Sequence, residues 1–136
     1  MVDIHAHILP DVDDGSDSDE TSLLMARIAL DSGVTDLIAT PHSNQRGRFE
    51  NYASEELEAQ FQRLKEAVRR EQLALRLHLG MEVYATSDMA ELYREGKLLT
   101  LAGSRYLLME FGFHDDAYYM DRVLRDVLDT GAPRAL

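Results

Sequence analysis

The feature that most limits what this chain can become is a set of apolar runs that end in histidine or carboxylate, separated by segments of helical period. The opening run extends from Met1 to Ile8, apolar at Val2, Ile4 and Ile8, and Val34 to Thr40 is a second run closed by Pro41. Leu73, Leu75, Leu77 and Leu79 alternate with Ala74, Arg76 and His78, which is strand periodicity, and lead into Gly80, Met81 and Glu82. Tyr106 to Phe111 is the fourth run, interrupted only by Glu110.

The intervening segments read as helices. Asp17 and Ser18 are N-cap candidates for a helix through Leu24, Met25 and Ile28 that ends at Gly33. Ser54 caps a helix whose Leu57, Phe61, Leu64 and Val68 form one apolar stripe. A short helix around Met89, Leu92 and Tyr93 stops at Gly96, and another with Met120, Val123, Leu124, Val127 and Leu128 stops at Gly131. Strand–helix alternation predicts an α/β fold on a mainly parallel sheet with right-handed crossovers, in one domain over residues 1–136.

Composition removes several classes of function. The 136 residues carry a formal net charge of −11, which opposes binding to phosphate backbones and argues against a nucleic-acid partner. No stretch approaches the roughly 18 apolar residues of a membrane span. The absence of cysteine excludes disulfides, thiolate metal sites and thiol-based phosphatase chemistry, and is compatible with a cytoplasmic location. There is no phosphate-binding glycine loop, no Gly-x-Ser-x-Gly elbow and no His-Glu-x-x-His. The Asp-rich loop does not fit an EF-hand, because Gly15 and Ser22 fall where that loop needs other residues.

In parallel α/β folds chemistry gathers at the carboxyl ends of the strands. His5 and His7 stand at the first end, on one side of the strand by its two-residue period, and Asp14 lies in the loop beyond. His42 follows the second strand, Glu82 the third, and Glu110 lies within the fourth among Leu107, Leu108, Met109 and Phe111. A carboxylate in such a run is costly to bury unless paired or bound to a cation. Histidine and carboxylate without sulfur suit manganese, iron or zinc. Asp13 reads as a turn residue and His78 and His114 as structural, while Arg46 and Arg48, flanking Gly47, form a candidate anion cradle.

Asp3-Ile4-His5-Ala6-His7-Ile8, Asp11-Val12-Asp13-Asp14-Gly15, Thr40-Pro41-His42, Gly80-Met81-Glu82-Val83-Tyr84, and Ser104-Arg105-Tyr106 leading to Met109-Glu110-Phe111 together resemble the polymerase and histidinol phosphatase (PHP) superfamily. More narrowly, the chain resembles the manganese-dependent bacterial protein-tyrosine phosphatases of capsule and exopolysaccharide gene clusters, from Met1 to about Pro133. The resemblance implies the first four βα units of a distorted (β/α)7 barrel, a single partial PHP domain over 1–136 that ends before the fifth strand.

The same resemblance implies up to three divalent ions, Mn2+ first, with Zn2+ or iron as alternatives. His5, His7 and Glu82 would hold one, Glu82 would bridge to a second shared with Glu110, and Asp14 and His42 would hold a third. Arg46 and Arg48 would bind the substrate phosphate. The implied reaction is hydrolysis of phosphotyrosine by ion-activated water, with no protein nucleophile. The implied partner is a phosphotyrosine-containing protein, typically the tail of the tyrosine autokinase that controls polysaccharide export. Family members are longer, and their second halves supply further histidine, aspartate and arginine, so each ion here would be one protein ligand short. Three further readings stay open: a small-molecule phosphoesterase of the histidinol-phosphatase type, an inactive interaction module with a partial metal site, and self-association through an open half-barrel.

Overall fold

The computed structural model describes residues 1–131 and the backbone of Arg134–Ala135. Ala132, Pro133 and Leu136 lie outside the described residues. Among the described residues, four α-helices are interspersed with seven strands: β1 (Val2–Ala6), α1 (Asp19–Asp31), β2 (Asp36–Ala39), β3 (His42–Ser43), α2 (Glu55–Arg70), β4 (Arg76–Leu79), β5 (Glu82–Tyr84), α3 (Met89–Arg94), β6 (Tyr106–Glu110), α4 (Ala117–Leu128) and β7 (Arg134–Ala135). The α/β class follows the sequence pattern.

The strands do not form one sheet. β1, β2 and β4 make one parallel sheet, and β3, β5, β6 and β7 make another. Two of the sequence runs cross between them and break in step. The second breaks at Thr40-Pro41, where proline has no N–H to continue the ladder, and the third breaks beside it at Gly80-Met81. Gly80 suits its position because a Cβ there would lie 3.0 Å from Leu101 Cδ2 and 3.2 Å from Ile38 Cγ2. The breaks have a positional consequence: His42 and Glu82 open the second sheet in register with each other, and Tyr84 pairs with Glu110. The expectation that the chain stops before a further strand is corrected by β7, whose backbone pairs parallel to β6 (Tyr106 with Arg134).

Local chemistry sets the helices. Ser54 Oγ accepts from Leu57 N at 3.1 Å to start α2, whose first turn carries Glu55, Glu56 and Glu58 and whose last carries Arg69 and Arg70, as the helix dipole favours. Leu57, Phe61, Leu64 and Val68 all pack into the core with Ile8, Met81, Val83 and Leu107. α1 departs from its sequence pattern. Leu24 and Ile28 are exposed, and the buried positions are Ala26 and Ser22. The Ser22 hydroxyl donates to Ile8 O at 2.7 Å and meets Ser16 Oγ at 2.7 Å, tying α1 to the end of β1. On α4, Val123 and Val127 are buried while Tyr118 and Leu128 are exposed.

Candidate metal centre

The site begins with the turn after β1. Ser16 N–H donates to His7 O at 3.0 Å and Asp11 N–H to Ser16 O at 3.0 Å, folding residues 11–16 back over the strand end. Only glycine fits at position 15, where a Cβ would sit 2.2 Å from His7 O. The fold-back brings Asp13 beneath the site. His7 Nδ1 donates to Asp13 Oδ2 at 2.7 Å, and the Asp13 carboxylate also accepts from His42 N at 2.9 Å and Gly15 N at 3.0 Å. One buried aspartate thus orients two histidine-bearing segments.

Six side chains from four strand ends converge. Glu82 Oε2 lies 3.1 Å from His5 Nε2, 3.1 Å from His7 Nε2 and 3.1 Å from His42 Nδ1. None of these approaches is aligned as a hydrogen bond, so Glu82 Oε2 is buried without a hydrogen-bond partner. His5 Nε2 and His7 Nε2 face each other at 3.2 Å. Glu110 Oε2 is 3.5 Å from the same His42 Nδ1, and on the other side of the ring Asp14 Oδ1 is 3.4 Å from Nε2. The ligand-type atoms form three overlapping groups: His5, His7 and Glu82; His7, Asp14 and His42; and His42, Glu82 and Glu110.

The electrostatics match this crowding. The Asp13 hydrogen bond, then the approach of Glu82, raises the His7 pKa to about 10 against the desolvating effect of burial. Burial pushes the Glu82 carboxyl up, but His7 and the charges of His5 and His42 outweigh it and hold the group below its ordinary value. Asp13 is likewise held low, its burial outweighed by His7 and two backbone N–H donors. An orphaned carboxylate oxygen ringed by imidazole nitrogens is the arrangement a divalent cation satisfies, and the nitrogen–oxygen donor set suits manganese, iron or zinc.

The sequence argument for a buried carboxylate attaches to a different residue than expected. Glu110 keeps 33% of its side chain exposed, whereas Glu82 keeps 11%. Arg46 and Arg48 line a cleft of about 370 Å³ beside Glu110, with Asn44, Gln45, Tyr84 and Thr86. Both arginines are engaged by carboxylates, Arg46 by Asp88 and Arg48 by Asp14 at 2.9 Å. His78 lies within β4 and is engaged by Asp36 of β2, its Nε2 3.2 Å from Asp36 Oδ1, and His114 is exposed.

Two residues of the site escaped sequence reasoning. Asp13 looked like any loop aspartate, although its place two residues before Gly15 in a loop leaving a His-x-His strand was a usable signal. Gln45 carried no signal, yet its Nε2 donates to Glu110 Oε2 at 2.7 Å and lies 2.9 Å from His42 Nδ1.

The family model for capsular polysaccharide synthesis, CpsB/CapC, matches residues 1–133. The chain belongs to the CpsB/CapC family. Among its relatives, the tyrosine-protein phosphatase YwqE of Bacillus subtilis is 34% identical over 127 residues, 93% of this chain and 49% of YwqE. The tyrosine-protein phosphatase CpsB of Streptococcus pneumoniae is 33% identical over 131 residues, 96% of this chain and 53% of CpsB. This CpsB/CapC chain therefore spans about half the length of the curated relatives it matches. Its fold superposes on a chain from the crystal structures of YwqE and CpsB, described there as unique metal-dependent tyrosine phosphatases. The TM-score is 0.89 at 31% identity, covering 99% of this chain and 54% of that one. Among the described residues of this family member, no helix is long and apolar enough to cross a membrane.

Proposed function

We propose that this chain carries the metal-binding face of a phosphotyrosine phosphatase and acts on a phosphotyrosine-bearing protein segment in the cytoplasm, such as the tail of a tyrosine autokinase in capsule or exopolysaccharide synthesis. The observation that carries the reading is Glu82 Oε2, buried without a hydrogen bond and 3.1 Å from each of three imidazole nitrogens. The relatives named tyrosine-protein phosphatases support the substrate class.

In this reading His5, His7 and Glu82 hold one ion, Glu82 and Glu110 a second, and Asp14 and His42 a third, with Mn2+ the first choice. Bound ions supply positive charge for the phosphoryl oxygens and lower the pKa of water. The protein's part is geometric and electrostatic. Asp13 holds His7 with Nε2 turned toward Glu82, and Phe49 stacks on His42 with ring centroids 5.7 Å apart. Arg46 and Arg48 sit beside the cleft, each able to exchange its carboxylate partner for a phosphate. The chain contains no cysteine and so supplies no thiolate nucleophile.

The test is phosphate release from a phosphotyrosine peptide in added Mn2+, with metal binding followed by calorimetry on the same samples. His5→Ala and Glu82→Ala are expected to abolish tight ion uptake and any release. Equal ion uptake by the wild type and both variants would remove the metal from this site. Ion uptake without release from the peptide or from a small phosphomonoester would instead favour a metal-binding interaction module.

A further inference from the structure

The cleft beside Glu110 continues past Arg46. That arginine lines it and also lines a second cleft, of about 530 Å³, bounded by α3. The wall between the two is built from connected polar groups. Tyr52 Oη donates to Asn44 Oδ1 at 2.9 Å, Asn44 Nδ2 to Thr86 Oγ1 at 2.7 Å, and Thr86 Oγ1 to Asp88 Oδ1 at 2.6 Å. Asp88 Oδ2 in turn holds the Arg46 guanidinium, and Asn44 is fully buried within this relay. Elsewhere on the rim, Ala53 N–H donates to Lys97 O at 2.9 Å and ties the loop before α2 to the turn after α3. The second cleft is therefore held open by the fold itself and adjoins the cleft assigned above to the phosphate.

Its lining combines apolar surface with one uncompensated charge. Leu92 and Ala53 supply the apolar part and Tyr52 an aromatic ring. Four of the five charged lining groups neutralise one another in pairs, Arg46 with Asp88 and Lys97 with Glu95 at 2.6 Å. The fifth is Glu91, exposed on α3, whose carboxylate has no hydrogen bond or ion pair among the described residues. An aliphatic stem that ends in a cation suits such a cleft, with the stem on the apolar lining and the head at the carboxylate. Lysine and arginine have that form. An acidic side chain would meet a surplus negative charge instead.

We propose that this second cleft is a subsite for a lysine or arginine side chain of the substrate segment, close in sequence to the phosphotyrosine, and that Glu91 selects it. The proposal rests on the phosphotyrosine reading above. Glu91 belongs to none of the three ligand groups, so its part is to choose the segment and not to hold an ion.

The experiment measures binding and not turnover. Fluorescent alanine peptides carry one difluoromethylphosphonate analogue of phosphotyrosine, which is not hydrolysed, and a single lysine placed in turn at each position on either side of it. Dissociation constants come from fluorescence anisotropy in Mn2+. A chain of net charge −11 attracts any cation, so the informative quantities are the dependence on position and on Glu91. Lysine at one position, or at two neighbouring ones, is expected to tighten binding about 2–5-fold over alanine, the range of an ion pair open to water, and to lose that advantage near about 1 M salt. In Glu91→Gln the advantage of lysine over alanine is expected to vanish. In Glu91→Lys, glutamate at the same position is expected to replace lysine as the preferred residue.

Equal tightening by lysine at every position is the general attraction of an acidic chain and overturns the proposal. So does a positional preference that persists in both Glu91 variants. Analogue binding with no preference for lysine anywhere overturns the subsite and leaves the phosphotyrosine reading standing. No binding of any analogue peptide in Mn2+ overturns both.

Discussion

Gly15 shows how one missing side chain sets the geometry of the centre. A Cβ at that position would meet His7 O at 2.2 Å and His7 Cβ at 2.3 Å, contacts that only a shift of the backbone relieves. Gly15→Ala is expected to destabilise the chain by about 1–3 kcal/mol, the range for overpacking a tight site, and to weaken ion binding because His7 moves with the displaced turn. Denaturant unfolding and calorimetry on the same variant check both effects. An unchanged midpoint and affinity would mean that the turn does not hold His7. The protonation of His7 gives a second prediction at this scale. Its pKa in the folded, ion-free chain stands near 10, raised by Asp13 and Glu82 above the ordinary 6.5. The stability it contributes is therefore complete below about pH 6.5 and lost as pH rises through about 10. An ion that takes Nε2 must displace that proton, so affinity is expected to rise with pH across this window, with about one proton released per ion near pH 7.5. Calorimetry in buffers of different ionisation enthalpy measures the release; none at all would contradict the charged His7. His5 and His7 could be read from their two-residue spacing, and Glu82 and Glu110 from strand ends. Gln45 could not, because what matters about it is a distance to residues 3 and 65 positions away.

At the scale of elements, α2 was legible and the sheet was not. The stripe Leu57, Phe61, Leu64 and Val68 has one helical solution, and all four positions are buried. Truncating the best buried of them, Leu64→Ala, is expected to cost about 2–5 kcal/mol, and losing the cap in Ser54→Ala about 1 kcal/mol, both read from urea unfolding midpoints. A loss below 1 kcal/mol for Leu64→Ala would mean that α2 is not a main support of the core. The strand runs were located correctly, but their division between two sheets was hidden. Leu73 to Glu82 reads as one extended run, and its break at Gly80 acquires a cause only from the neighbouring break at Pro41, distant in sequence but adjacent in space. α1 was misleading for a related reason. Its hydrophobic residues Leu24 and Ile28 face outward, and its attachment to β1 runs through hydroxyls of Ser16 and Ser22 that no hydrophobic pattern records.

For the molecule as a whole, the net charge of −11 complicates any test of metal binding. An acidic chain repels itself, and any divalent cation relieves part of that repulsion without occupying a specific site. Thermal stabilisation by Mn2+ is therefore not sufficient evidence for the centre. The distinguishing quantity is how much of the stabilisation depends on one buried carboxylate. An ion that binds only the folded chain adds about 2.7 kcal/mol at 100 times its dissociation constant, which for a chain of this size is a rise in melting temperature on the order of 10 °C. General screening acts on exposed charge, whereas Glu82 is 8% exposed and contributes little to it. In Glu82→Gln, which keeps the shape and changes the formal charge by one, the Mn2+-dependent rise is expected to shrink to the few degrees given by Ca2+ at equal ionic strength. Differential scanning calorimetry of both chains, with each cation and with chelator, makes the comparison. A Mn2+ rise of the same size in Glu82→Gln and in wild type would assign the effect to the acidic surface and take the ion away from Glu82.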